Sequence, residues 1–180
     1  MKPLHFRLAA AGVWGALLCV AFFAAPPAAP DTGPLIARLA TADLEGVNLS
    51  LFALWNLMGV WPAAMTVALR FDQRWWKWLF IALSFGLGAF ALLPYLVVRP
   101  WLEPRREPTS FIGRLLSSRW VLRALALAAV CFGALFFLGG IVEFGALFRT
   151  QQFPWVMSFD FCAFCGAGFL LGLERHFSFT

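Results

Sequence analysis

The chain has 180 residues, of which 62% are hydrophobic and only 13% are charged. A soluble domain carries about 25% charged and about 45–50% apolar residues. The composition therefore excludes an ordinary water-soluble domain and indicates an integral membrane protein. The formal net charge is +5, but Lys and Arg lie between apolar segments, where they set topology or contact anionic lipids, so no nucleic-acid partner is expected. We predict an all-α polytopic transmembrane helical bundle forming one domain over residues 1–180.

The first apolar segment runs over residues 8–25, close to the roughly 20 residues that a helix needs to cross a bilayer. Lys2 and Arg7 precede it and the stretch AAPPAAP follows it. A basic start and a small-residue end also describe a cleaved signal peptide, although signal cores usually have about 7–15 apolar residues. We favour a retained helix, and the sequence leaves cleavage open.

The connection to the next segment contains apolar residues at roughly helical spacing. This pattern predicts a short amphipathic helix at the membrane surface. A helix that simply packs as part of a loop fits the pattern equally well. The apolar positions are Leu35, Ile36, Leu39, Ala40, Leu44 and Val47.

Four further segments have the length and the apolar character of membrane-spanning helices. They cover residues 49–69, 76–98, 121–148 and 153–173. The sequence thus predicts about five spans, with the lipid bilayer and other membrane protein subunits as the expected partners.

The distribution of basic residues leaves the orientation open, because the side richer in Lys and Arg normally faces the cytoplasm. If all five segments cross the membrane, six basic residues lie on one side and eight on the other. The first group is Lys2, Arg7, Arg70, Arg74, Lys77 and Arg149. The second group is Arg38, Arg99, Arg105, Arg106, Arg114, Arg119, Arg123 and Arg175.

The second segment contains the stretch WNLMGVWP, in which Asn56, Gly59 and Pro62 fall within two helical turns. Pro62 lacks an amide hydrogen and its ring clashes with the carbonyl of Met58, so we predict a helix kink at these three residues. Asn56 can bond a freed backbone group or a neighbouring helix. A kink that shapes packing is the simpler interpretation, and a broken helix that lines a substrate site is the alternative.

The fifth segment carries Asp160 within its apolar run, where a charged group costs at least ~2.5–3.5 kcal/mol and usually faces a partner inside the bundle. Glu143 lies near the end of the fourth segment, so both carboxylates are expected near one membrane face. We predict an intramembrane polar cluster of Glu143 and Asp160 with Arg149, Arg70 or Lys77. We favour an ion-pair network that orients helices; a proton or ion relay and contact with a pigment or lipid head group are the alternatives.

Cys162 and Cys165 form a C-x-x-C pair about 14 Å into the fifth segment, at ~1.5 Å rise per residue. A redox pair needs a lowered thiol pKa and access for an exchange partner, and apolar burial works against both. Zinc needs two more nitrogen or sulfur ligands, and His5 and His176 lie at the termini. We interpret the cysteines as packing residues and expect no metal site, no catalytic residues and no cofactor.

Several runs, taken together and in order, resemble a family of small uncharacterised polytopic membrane proteins of cyanobacteria and plastids. These runs are NLMGVWPAA, SFGLGAFALLPYLVVRP, SSRW and VMSFDFC. The resemblance implies a location in the membrane of a photosynthetic organism, thylakoid or bacterial plasma membrane, and it implies no particular activity.

These observations predict a multi-pass membrane protein that is not an enzyme and that serves as an accessory, assembly or stabilising subunit of a membrane complex, with photosynthesis as the suggested context. The alternative is a small ion- or proton-coupled transporter that uses Asp160 and Glu143. A membrane thiol oxidoreductase using Cys162 is the third hypothesis. The partner, any transported substrate and the oligomeric state are not specified by the sequence.

Overall fold

The computed structural model describes residues 3–70, 72, 74–99 and 118–177. Within these residues the secondary structure is entirely helical, which confirms the predicted fold class in its coarse form. The helices are α1 Pro3–Cys19, which continues as a π-helical turn Val20–Ala24, then α2 Thr32–Thr41, α3 Leu49–Ala68, α4 Lys77–Leu87, α5 Ala89–Val98, α6 Arg119–Leu138, α7 Ile141–Thr150 and α8 Gln152–Phe177.

Among the described residues, four helices are long and apolar enough to cross a membrane, whereas the sequence predicts five spans. They comprise Leu4–Ala24, Leu49–Ala68, Arg119–Leu138 and Gln152–Gly172. The first, second and fifth predicted segments each correspond to one of these helices. The third and fourth predicted segments are each divided in two.

The predicted third span, residues 76–98, is a helical hairpin made of α4 and α5. The ring of Tyr95 lies 4.9 Å from that of Trp76 and 5.6 Å from that of Phe80, measured between centroids. In one continuous helix, Trp76 and Tyr95 would be about 28 Å apart, at ~1.5 Å per residue. The chain therefore enters the bundle along α4, turns at Gly88 and returns along α5.

Each arm of the hairpin is too short to cross a bilayer. The 11 residues of α4 extend about 16 Å, roughly half of a hydrocarbon core of about 30 Å. Non-helical backbone at membrane depth is tolerated where it is buried in protein. Most of α5 is buried, including Ala89, Leu92 and Leu96, and it packs between α1, α4 and α8.

The predicted fourth span, residues 121–148, ends early because the chain turns at Gly139 and Gly140. A Cβ atom on Gly139 would lie 2.7 Å from the Cβ atom of Leu49, and Gly140 has φ +102°. Both positions thus favour glycine, and α7 leaves α6 in a new direction. None of the residues of α6, all of which the structure describes, is buried, so this long helix lies at the periphery of the bundle.

The helix directions define two ends of the bundle. At the first, which we call the basic end, Arg7 at the start of α1 donates a hydrogen bond to the carbonyl of Arg99, just after α5. At the opposite end, the amide of Gln152 donates to the carbonyl of Pro27, and Asn48 donates to the carbonyl of Gly140.

The short helix α2 agrees with the predicted amphipathic helix in place but ends earlier, at Thr41. Ala42 follows in the left-handed conformation with φ 55°, and its amide donates to the carbonyls of Arg38 and Leu39. Leu39 and Val47 are buried in a cluster with residues of α3, α7 and α8. This region therefore packs against the bundle; its position at a membrane surface stays a prediction.

Candidate functional site

The tip of the hairpin is held by Asp160, which projects from α8. One carboxylate oxygen of Asp160 accepts a hydrogen bond from the amide of Ala89 at 2.8 Å. The Asp160 side chain is only 4% exposed. The first amides of a helix have no partner within the helix, so Asp160 satisfies the amino-terminal end of α5 inside the bundle.

Gly88 makes this contact possible. Its φ of +61° and ψ of −143° belong to a conformation that is costly for residues with a side chain. A Cβ atom on Gly88 would lie 1.6 Å from the Oδ2 atom of Asp160. The turn and the carboxylate can therefore occupy this place together only when residue 88 is glycine.

The base of the hairpin is fixed by a second polar group, centred on Asp72. The hydroxyl of Tyr95 donates to the Oδ2 atom of Asp72, and Arg74 forms an ion pair with the same carboxylate at 3.3 Å. The ammonium of Lys77 donates to the carbonyls of Asp72 and Leu69. Asp72, Lys77 and Tyr95 are each at most 5% exposed, so this network ties the start of α4, the end of α5 and the end of α3 together.

The basic end continues at the neighbouring helix α1. The guanidinium of Arg99 is buried and stacks 5.1 Å from the centroid of the Phe6 ring. Arg7 donates to the carbonyl of Arg99 at 3.0 Å. Cations therefore surround the point at which the hairpin enters and leaves the bundle.

The predicted intramembrane cluster is not formed among the described residues. Lys77 belongs to the Asp72 network, and Arg70 donates to the carbonyl of Val67 at the basic end. Glu143 and Arg149 are exposed residues of α7 at the opposite end. Asp160 lies between the two ends and accepts a hydrogen bond from the backbone amide of Ala89. The prediction grouped these five residues because it treated residues 76–98 as one crossing helix.

The predicted kink residues lie in α3, which continues through Pro62 as one helix. Asn56 donates to the carbonyl of Phe52, one turn earlier in its own helix. This hydrogen bond therefore lies within α3 and does not involve the carbonyl of Met58 or a neighbouring helix. Thr66 donates to the carbonyl of Pro62 in the same way. A bend at Asn56, Gly59 and Pro62 stays a prediction.

The cysteines of the C-x-x-C pair lie on the surface of α8. Cys162 is exposed, Cys165 is half-buried, and both are free thiols. Within the described part of the chain, no group of three or more His, Cys, Asp or Glu residues is placed to hold a metal ion.

A junction at the opposite end was not anticipated from the sequence. The side chain of Asn48 accepts from the amide of Leu51 at the start of α3 and donates to the carbonyl of Gly140. Two residues further on, Ser50 donates to the carbonyl of Phe136 at 2.6 Å. These bonds join the start of α3 to the end of α6. An Asn before an apolar helix predicts the amino-terminal cap, but the sequence does not predict that Asn48 also bonds the carbonyl of Gly140.

An apolar groove of about 640 Å³ runs between α3, α6 and α8. On α3 its lining extends from Leu54 to Val67, and on α6 it extends from Leu122 to Phe137. From α8 it receives Ser158, whose hydroxyl donates to the carbonyl of Pro154. The walls therefore offer hydrocarbon and aromatic surface to an occupant.

Comparison with known proteins adds no relative: no family model, no curated protein and no solved structure matches the chain. The resemblance based on the four sequence runs stays a hypothesis.

Proposed function

We propose that the protein is an integral membrane protein with four spanning helices and one re-entrant hairpin, and that it serves as a non-catalytic accessory, assembly or stabilising subunit of a membrane complex. The observation that carries this proposal is the engagement of Asp160 by the backbone amide of Ala89. Asp160, an ionisable residue within an apolar segment, thus has a structural role, because it links α8 to the start of α5.

Other polar side chains within the apolar helices support the same interpretation. Each donates a hydrogen bond to a backbone carbonyl, either in its own helix or in a neighbouring one. These side chains are Ser50, Asn56, Thr66, Ser84 and Ser158. Polar groups in lipid-embedded helices stabilise packing in this way, and a subunit with a structural role needs no more from them.

The hairpin also supports an orientation. Because α4 and α5 return the chain to the basic end, Arg99, Arg119 and Arg123 belong to that end, and Arg175 lies near the end of α8. Among the residues that the structure describes, eight of the ten Lys and Arg residues are then at the basic end, and Arg38 and Arg149 are at the opposite end. We infer from this excess of basic residues that the basic end, where α1 begins and α8 ends, faces the cytoplasm.

The photosynthetic part of the proposal has a narrower basis. A cyanobacterial or plastid origin, and a thylakoid or plasma-membrane location, follow only from the resemblance of four sequence runs. We keep them as the proposed setting in which a partner complex is to be sought.

Native electrophoresis of the tagged protein, extracted with a mild detergent from its own membranes, tests the accessory role. We expect the protein to migrate in a complex larger than a monomer or homo-oligomer, and mass spectrometry of that band identifies the other subunits. Migration only as a monomer or a homo-oligomer would contradict the proposal.

A small ion- or proton-coupled carrier is the second candidate, and the hairpin is the observation that favours it. In many carriers, half-helices meet near the bilayer midplane, and their amino-terminal ends face anionic groups. Here the amino-terminal end of α5 faces Asp160. Glu143, the other acid of the predicted relay, is exposed on α7, so the carrier hypothesis now centres on Asp160.

The variant Asp160→Asn separates the two functions. Its carbonyl oxygen can still accept from Ala89, so an accessory subunit retains its complex. A carrier that moves protons through this carboxyl group loses transport in proteoliposomes, although the variant remains folded. Normal assembly with no measurable transport in the wild type supports the accessory role, whereas wild-type transport abolished by the substitution supports the carrier.

A further inference from the structure

The groove between α3, α6 and α8 is long and narrow, as a binding site for hydrocarbon chains is. From Leu54 to Val67 it extends 13 residues along α3, or about 20 Å. Its volume of about 640 Å³, divided by this length and widened on each side by the radius of a water molecule (about 1.4 Å), gives a width of about 9 Å. An α-helix with its side chains is about 10–12 Å wide, so the groove is narrower than a helix of a partner.

Arginines stand at the basic end of both long walls of this groove. On α6, the lining positions Leu122, Ala126 and Ala129 follow Arg119 at intervals of three or four residues, which places Arg119 on the same helix face. On α3, Arg70 follows the lining residue Val67, and its guanidinium donates to the carbonyl of Val67 at 2.8 Å. Both arginines thus belong to the helix ends that border the groove at the basic end.

The surroundings of this end match the interfacial region of a membrane. Trp120 is 75% exposed, and the guanidinium of Arg123 lies 5.2 Å from its ring centroid. Exposed Trp and basic residues at a helix end are typical anchors at the head-group level. At the other end of the groove the nearest turn contains Gly139 and Gly140, and the following helix contributes the acidic Glu143.

We propose that this groove is a binding site for an anionic phospholipid. One acyl chain lies along α3 and α6, and the phosphate lies at the basic end beside Arg70 and Arg119. The apolar walls account for the chain, and charge complementarity accounts for the choice of an anionic head group. This site is independent of the Asp160 contact and of the accessory role.

Native mass spectrometry of the purified full-length chain tests the site. The probes are phosphatidylglycerol and phosphatidylcholine with identical acyl chains, added in equal amounts in mixed micelles. We expect the wild type to retain phosphatidylglycerol preferentially. Removal of one cation with Arg119→Gln should lower that preference roughly fivefold, since a basic residue near the surface contributes about the corresponding free energy. Arg149→Gln, at the opposite end, should leave the preference unchanged.

A second pair of variants tests the chain-binding walls. Ala129→Trp fills the middle of the groove, and we expect it to reduce retention of both lipids. Ala124→Trp is the matched control, because Ala124 is exposed on α6 and does not line the groove. Equal retention of the two lipids by the wild type, or unchanged retention by a folded Ala129→Trp variant, overturns the proposal. A wild-type dimer that Ala129→Trp dissociates without loss of lipid overturns it as well, because a second copy would then occupy the groove.

Discussion

The substitution Gly88→Ala tests the hairpin most directly. The new methyl carbon would lie 1.6 Å from the Oδ2 atom and 2.5 Å from the Cγ atom of Asp160, so the carboxylate must move away from α5. Gly86 provides a matched control two residues earlier. It lies within α4, and a Cβ atom built on it has no neighbour within 4 Å.

The expected loss of stability has two parts. A residue with a side chain in this backbone conformation costs about 1–3 kcal/mol. Displacement of the carboxylate leaves the buried amide of Ala89 without its acceptor, which costs about 1–3 kcal/mol more. A total of about 2–6 kcal/mol corresponds to a decrease in melting temperature on the order of 10 °C for a chain of this size. Gly86→Ala should instead be neutral or stabilising, since Ala is favoured over Gly in a helix by about 1 kcal/mol.

Size-exclusion chromatography after heating in mild detergent measures both melting temperatures. The double variant Gly88→Ala with Asp160→Ala isolates the steric part, because removal of the carboxylate makes room for the methyl group. Against the Asp160→Ala background, Gly88→Ala should cost only the backbone contribution of about 1–3 kcal/mol. If Gly88→Ala is as stable as Gly86→Ala, the contact between the hairpin tip and α8 is not present in the membrane protein.

Three further predictions concern the rest of the bundle. Tyr95→Phe removes the hydroxyl that donates to the buried carboxylate of Asp72 and should destabilise the protein by about 1–3 kcal/mol. In an Asp72→Ala background the same substitution should cost less, and thermal unfolding measures both effects. Asn48→Ala removes the amino-terminal cap of α3 and the hydrogen bond to the carbonyl of Gly140, and we expect a loss of stability of about 1–2 kcal/mol. An unchanged melting temperature would contradict the capping role. In a cysteine-free background, Arg119→Cys, at the exposed start of α6, should react with a membrane-impermeant thiol reagent only from the cytoplasmic side and Thr41→Cys only from the other. Labelling of both from one side would refute the inferred topology.

The long helices that the sequence predicts correctly are those in which no turn divides the apolar segment. For residues 49–68, length and composition are sufficient, because a helix of 20 residues satisfies its own backbone in any apolar surrounding. The same holds for α8, where the predicted segment 153–173 lies within the observed helix. Such segments need no information from elsewhere in the chain.

The hairpin could not be predicted from composition alone. Residues 76–98 are as apolar as a true span, and Gly86 and Gly88 both fit helix packing. Only Gly88 has the backbone conformation of a turn, and that conformation is supported by a side chain 72 positions later, Asp160. Treating residues 76–98 as a crossing helix also assigns every later charged residue to the opposite end of the bundle. This is why Lys77 and Arg70 were expected beside Asp160 and Glu143.

The position of Asp160 has a physical explanation once the hairpin is known. A half-helix that begins at membrane depth presents unsatisfied amides where no water can reach them, and each would cost several kcal/mol in hydrocarbon. A carboxylate accepts from one of these amides and also interacts favourably with the positive end of the helix dipole, by up to about 2 kcal/mol in buried geometries. In the proposed membrane arrangement, the cost of burying Asp160 and the cost of starting α5 at the same depth therefore offset each other. Neither feature is expected to be stable alone, so loss of the carboxyl group should free the hairpin tip while the Asp72 network continues to hold its base.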